Sequence, residues 1–319
     1  MIFRKMPGFM LLVVLMAAAL LCGCSVKKIA MRSVANALSG EGGTVFTGDN
    51  DPELVGDALP FALKMYESLL AGDSLNPRLL LATGKLSAMY AFAFVQTPAE
   101  QMSDNQIEQK QHDLKRAKNL YIRGRDYVLK GIEINHPGFK RLLNANKIDS
   151  ALALVSIKDT AYLYWAAASW MGAVTADKFN LGLMMTIPRA VAMMQRVLAL
   201  CDSYGQGSAH EFFISYYGAL PASMGGSEQK AREHFDKAVA LGQGLKAGPY
   251  LSLATSVCIK KQARTEFEDL INKALCIEVN KSPENRLANL ISQKRARWYI
   301  DHLDDFFLPA EPDSVKAPQ

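Results

Sequence analysis

The chain has 319 residues, half of them hydrophobic and 21% charged, with a formal net charge of +5. So near-balanced a charge gives no argument for a nucleic-acid partner. Five cysteines without a CxxC or Cys/His ligand spacing give none for a structural zinc site.

The first 23 residues read as a targeting segment, set apart from the fold. Arg4 and Lys5 make a positive start, and Phe9 to Leu21 is an apolar run too short for a comfortable span. Leu21-Cys22-Gly23-Cys24-Ser25 then resembles a bacterial lipobox, with Cys24 as the lipidated acceptor because a small residue, Gly23, precedes it. Cys22 does not fit, because Leu21 would stand at the small position. Several acyl chains on one cysteine anchor far more firmly than one. Ser25 rather than aspartate follows the acceptor, which points to the periplasmic face of the outer membrane. Cleavage before Cys24 would remove Arg4 and Lys5 and leave a net charge of +3.

Residues 24–50 read as anchor and linker: a short amphipathic helix over Val26–Ser39, then the glycine-rich Gly40–Gly48. No Lys-Ser/Thr follows those glycines, so they are no phosphate loop. Asp51, Pro52 and Glu53 give an N-cap, a first helical proline and an acidic first turn, and open an all-helical domain over 51–308. Ser103-x-x-Gln106 predicts a capping box for a long charged helix to about Ile134, stopped by His136-Pro137-Gly138. Thr160–Ala176 carries no charge and holds Tyr162, Tyr164, Trp165 and Trp170. It reads as a buried central helix. The alternative is that Tyr162, Trp165 and Trp170 line a cleft for an apolar ligand, with Ala166–Ala168 letting a helix or ligand approach the backbone.

Ser208–Leu241 reads as a helix pair. Phe212, Phe213, Tyr216 and Tyr217 recur at helical spacing, and Gly218, Pro221, Gly225 and Gly226 turn the chain. Ser227 caps a second helix whose stripe is Ala231, Phe235, Ala238 and Leu241. The same stripe recurs from Phe61, Ala117, Ala190 and Phe267, at intervals of 56, 73, 41 and 36 residues. That pattern predicts an irregular tetratricopeptide-like (TPR-like) array with extra helices inserted. Ser282-Pro283-Glu284 opens a last helix to about Asp305, and residues 309–319 form a polar, proline-rich tail. Thr44-Val45-Phe46 is the only β-like fragment.

The run from Asp51, DPELVGDALPFALKMYESLLAGDSLNPRLLLATGKLSAMYAFAFVQTPAE, resembles the opening signature of the T-component family, TatT, of tripartite ATP-independent periplasmic (TRAP) transporters. LYWAAASWMGA from Leu163, HEFFISYYGALPASMGG from His210 and RLANLISQKRARWYIDHLDDFF from Arg286 resemble the same family, over residues 50 to 308 in all. The resemblance implies a TPR-like lipoprotein, a trimer, and as partner the substrate-binding P component. It brings no catalytic motif.

None of the five histidines has an HExxH or i,i+4 partner histidine, and glycine-based nucleophile elbows are absent. Asp301, Asp304 and Asp305 read as a solvated face rather than a metal site. Lys260-Lys261 and Lys294-Arg295 with Arg297 read as basic helix faces. Cys201, Cys258 and Cys276 allow one disulfide or none. No enzyme, cofactor or metal is expected. The reading is a transport accessory that binds the P component and a hydrophobic solute, and the alternative is a lipid-anchored scaffold for envelope assembly.

Overall fold

Asp51 starts the first long helix as its neighbours suggest. In a computed structural model that describes residues 43–309, its Oδ1 accepts the N–H groups of Glu53 and Leu54, both at 3.0 Å. The leader, Cys24, the helix expected over Val26–Ser39 and residues 310–319 of the tail lie outside the described residues. Among those described, every regular element is helical. Thr44-Val45-Phe46, the β-like fragment, falls in a short helix, α1 (Gly43–Thr47).

Helix α2 (Pro52–Gly72) buries Val55, Leu59, Ala62, Leu63, Tyr66 and Leu70. The stripe aligned from Phe61 is therefore on the wrong face, since Phe61 is 76% exposed. The segment is apolar on several sides, and its repeat pattern there is offset from the buried one by one residue. Asn76 caps α3 (Pro77–Glu100), whose turns widen to π geometry over Ala91–Gln96. α3 packs along α4 (Ile107–Asn135) with the two backbones almost touching. A Cβ on Gly84 would sit 2.6 Å from the Gly124 carbonyl oxygen, and one on Gly124 2.8 Å from that of Gly84.

α4 begins later than the capping box predicts. Ser103 Oγ contacts the side chains of Asn105 and Gln106, a 3₁₀ turn over Asp104–Gln106 intervenes, and regular helix starts at Ile107. Its end agrees: the His136 N–H closes on the Ile132 carbonyl at 2.8 Å. Short α5 (Phe139–Asn144) and α6 (Ile148–Leu152) lead to α7 (Thr160–Ala176). The remainder is α8 (Leu181–Met184), α9 (Ile187–Leu200), α10 (Ser208–Ala219), α11 (Glu228–Leu241), α12 (residues 247–261, with a π turn over Ala254–Cys258), α13 (Arg264–Leu275) and α14 (Arg286–Asp301). Gly218 lies inside α10 rather than ending it, buried against Ser256 and Val257 of α12. Ser227 caps α11 as expected, accepting the Lys230 N–H at 3.3 Å. α14 ends at Asp301, followed by a 3₁₀ turn over Leu303–Asp305.

Each helix packs mainly on its neighbours in sequence, α3 on α4, α4 on α7, α7 on α9, α10 on α11 and α12, and α12 on α13 and α14. Three apolar clusters follow one another along this stack. The other four stripes point inward. Ala117, Ala190, Met194, Val197, Ala231, Ala238, Phe267, Ile271 and Ala274 are fully buried, while Phe235 and Leu241 are half-buried. The last helix then returns to the first. Arg286 Nη1 donates to the Gly48 carbonyl at 2.7 Å, Leu287 joins the cluster built by α2–α4, and the Arg295 guanidinium lies 5.1 Å from the Phe92 ring centroid. Cys201, Cys258 and Cys276 are free thiols. Two stretches, Pro77–Glu100 and Leu181–Leu200, are long and apolar enough to cross a membrane. The first supplies core to the second cluster.

Candidate functional site: a basic and aromatic cleft

The aromatic residues of α7 are held in three different ways. Tyr162 is 7% exposed and Trp170 4%, both within the first core cluster. The Trp170 Nε1–H donates to Thr186 Oγ1 at 2.7 Å, and the Arg125 guanidinium lies over its ring at 4.7 Å. The Tyr162 ring fills the space left by the missing side chain of Gly131. Trp165 is half-buried where the first and second clusters meet, with Tyr164 edge-on at 5.3 Å and Lys85 Nζ 5.8 Å from its centroid. The core alternative therefore describes Tyr162 and Trp170 better than the lining one. Ala166 and Ala167 are likewise fully buried, and α7 packs there on α4 and α9.

A cleft of about 640 Å³ opens elsewhere, where α14 meets the ends of α3 and α7 and the start of α4. Gln111, Leu114, Lys115 and Lys118 share one face of α4 by their spacing of three and four residues. Arg295, Trp298 and Tyr299 share one face of α14 by the same rule. The turn after α7 adds Asp177, Lys178 and Phe179, and Phe306 closes one end.

The π turn in α3 places Gln96 at the seam behind this cleft. Its Oε1 accepts from Tyr121 Oη at 2.7 Å, and its Nε2 donates to Glu100 Oε1 at 2.8 Å and Thr175 Oγ1 at 3.3 Å. Burial drives the Tyr121 phenol well above its usual range, so it stays a proton donor. Lys118 and Asp177 form an ion pair at 2.8 Å, and hydrogen bonds from Lys118 and Asn180 hold the Asp177 carboxyl below its ordinary value. Trp298 stacks on His302 at 4.5 Å and meets Phe306 edge-on at 5.8 Å, while Tyr299 lies 5.2 Å from Phe306. No histidine, cysteine or serine lines the cleft. The arrangement is suited to binding.

A second polar cluster sits between α10 and α11. His210 Nδ1 and His234 Nδ1 are 2.8 Å apart, and His210 Nε2 is 3.0 Å from Asp202 Oδ1. A carboxylate only accepts, so Nε2 of His210 carries its proton, its Nδ1 accepts, and His234 Nδ1–H donates. His210 and Glu211, adjacent in sequence, take separate partners, Glu211 facing Lys246 at 3.7 Å. No group of three or more His, Cys, Asp or Glu side chains able to hold a metal ion occurs among the described residues. Asp304 pairs with Arg264 at 2.9 Å.

Sequence reasoning missed the cleft. Its one local signal was Lys294-Arg295 beside Trp298-Tyr299, read as a basic helix face.

A family model described as TRAP transporter T-component matches residues 48–307. A protein of Treponema pallidum (strain Nichols), described as "Uncharacterized protein", is 33% identical over 309 residues, which cover 92% of this chain and 96% of the relative.

Proposed function

Because the chain belongs to the TRAP transporter T-component family, and so is an accessory component of an envelope transporter, we propose that it docks the substrate-binding P component and presents a solute to it. The observation that carries this reading is the extent of the match, which takes in the whole fold from α2 to α14. The helices act as a TPR-like array, a reading supported by the four inward stripes and by packing that runs from each helix to the next. The solute is hydrophobic or amphipathic and enters the cleft beside α14. Tyr162 and Trp170 stiffen the helix stack, and Trp165 is the one of the three aromatics that is only half-buried. The chain is anchored through Cys24 at the periplasmic face of the outer membrane and works as a trimer.

Calorimetry and co-elution of the full chain with the P component encoded beside it test the partner. Complex formation at micromolar concentration is expected. No heat and no co-elution at tens of micromolar would favour the scaffold reading instead. Cys24→Ala is expected to abolish incorporation of a radiolabelled fatty acid, and label persisting on that variant would refute the anchor.

A further inference from the structure

We infer that the turn between α7 and α9 is a membrane-contact face, with Phe179, Leu181 and Met185 entering the bilayer surface and Lys178 and Arg189 meeting lipid phosphates. This rests on the proposed anchor at Cys24 and adds to it an orientation of the folded domain.

The three apolar side chains stand far out of the protein. Phe179 is 95% exposed, Leu181 74% and Met185 83%. Single exposed apolar residues are ordinary, but three within seven positions make a patch. They belong to the apolar stretch Leu181–Leu200 and the turn before it. Of the most apolar eighteen residues of that stretch 28% are buried, against 56% in Pro77–Glu100. The stretch does not span a bilayer, because Ala190, Val191, Met193, Met194 and Val197 already face the core. Only its outer side is free, which is the geometry of a segment that lies on a membrane.

The charges are those of a lipid surface's counterpart. From Lys178 to Leu200 there is no aspartate or glutamate, and the cations are Lys178, Arg189 and Arg196. Arg196 turns inward, its Nη2 donating to the Val155 carbonyl at 3.2 Å. Asp177, just before the patch, is engaged by Lys118 at 2.8 Å. Lys178 and Arg189 therefore bracket the apolar residues with positive charge, so that the rings and chains can sink while the cations stay with the headgroups. Fluid acyl chains accept protruding side chains without a matching pocket, which a protein partner would have to supply.

The tether leaves this choice to the folded domain. Cys24 precedes Gly43 by 19 positions. Fully extended, such a length reaches ~65 Å, enough to bring any face to the bilayer. A second, weaker contact beside the lipid anchor would then fix which face it is. Phe179 also lines the cleft beside α14, so the same contact would set one edge of the cleft at the membrane.

The test reconstitutes the full chain in vesicles of phosphatidylethanolamine and phosphatidylglycerol containing lipids brominated within the acyl chains. Phe179→Trp supplies a reporter, read as the difference from the unaltered chain, and Phe61→Trp on α2, also at an exposed apolar position, is the control. Bromine is expected to quench the reporter at 179 at least twofold more than the one at 61. Adding Leu181→Ser and Met185→Ser should at least halve the quenching at 179 and leave the helical circular dichroism unchanged, since both side chains are exposed. Phosphatidylcholine in place of phosphatidylglycerol should weaken it too. Equal quenching at both positions, stronger quenching at 61, or none at 179 would overturn the inference, as would indifference to the two serines or to the lipid charge. Blue-shifted emission at 179 that bromine does not reach would assign the patch to a protein, a second copy included, and overturn it as well. Flotation with the vesicles is measured on the same samples. Flotation without quenching at 179 refutes this contact alone, whereas failure to float refutes the anchor and the contact together.

Discussion

Phe235 and Phe267 occupy matching positions in two stripes yet differ in depth. Phe267 is fully buried against Tyr299 and Phe307, whereas Phe235 is half-buried and meets Tyr250 edge-on at 5.5 Å. Phe267→Ala should cost about 3–5 kcal/mol and Phe235→Ala about 2, because only part of the second ring leaves water. Urea unfolding of both variants checks the order; equal losses would contradict it. His234 offers a pH test. Burial first, then His210 and Lys237, lower its pKa to about 4 from the ordinary 6.5. Burial also lowers that of His210, although Asp202 opposes the shift. Between pH 6.5 and 4 the unfolded chain takes up a proton that the folded pair refuses. Stability should therefore be fully retained above pH 6.5 and fall as pH drops towards 4. His234→Phe keeps a ring on Phe213 and Tyr217 and removes that titration. Its melting temperature should fall less than that of the unaltered protein between pH 7.5 and 4.5, and an equal fall would show that the pair does not contribute.

Helices were readable where local chemistry ends them. Asp51, Ser227 and His136 stop or start elements at the expected residues because a cap acts within one turn. Ser103 failed because its hydroxyl found side chains instead of a backbone N–H. The π turns and the α3–α4 contact were not readable, since they answer to a neighbouring helix. Gly84→Ala should destabilise by about 1–3 kcal/mol through overpacking, even though alanine is favoured over glycine in a helix by about 1 kcal/mol. Gly182→Ala is the control, because its Cβ would meet only Asn180 Oδ1 at 3.4 Å. Urea midpoints separate the two; a neutral Gly84→Ala would mean that the backbones can part without cost.

Across the whole molecule, the return of α14 to the N-terminal helices is what makes a cleft. The bond from Arg286 to the Gly48 carbonyl is one tie, and a hydrogen bond from a charged donor contributes about 1.5–3 kcal/mol. Arg286→Ala should speed amide hydrogen exchange in α14 and around residues 43–48 while leaving α7 protected. Uniform exchange across the chain, or no change, would show that this tie does not hold the ends together.

The helical class, four of the five stripes, and the caps at Asp51 and Ser227 were legible along the chain, because spacing of three and four residues and the chemistry of a helix end are local. The apolar richness of α7 was legible too, but not which of its rings would be covered. Tyr162 and Trp170 went into the core and Trp165 to a junction once α4 and α9 had packed around them. Phe61 turned outward for a similar reason: an alignment gives spacing, and the neighbouring helix selects the buried face. The cleft draws on residues 97–118, 175–179 and 295–306, segments far apart in sequence. They meet because the last helix packs back on the N-terminal helices, and no local spacing records a contact between segments so far apart.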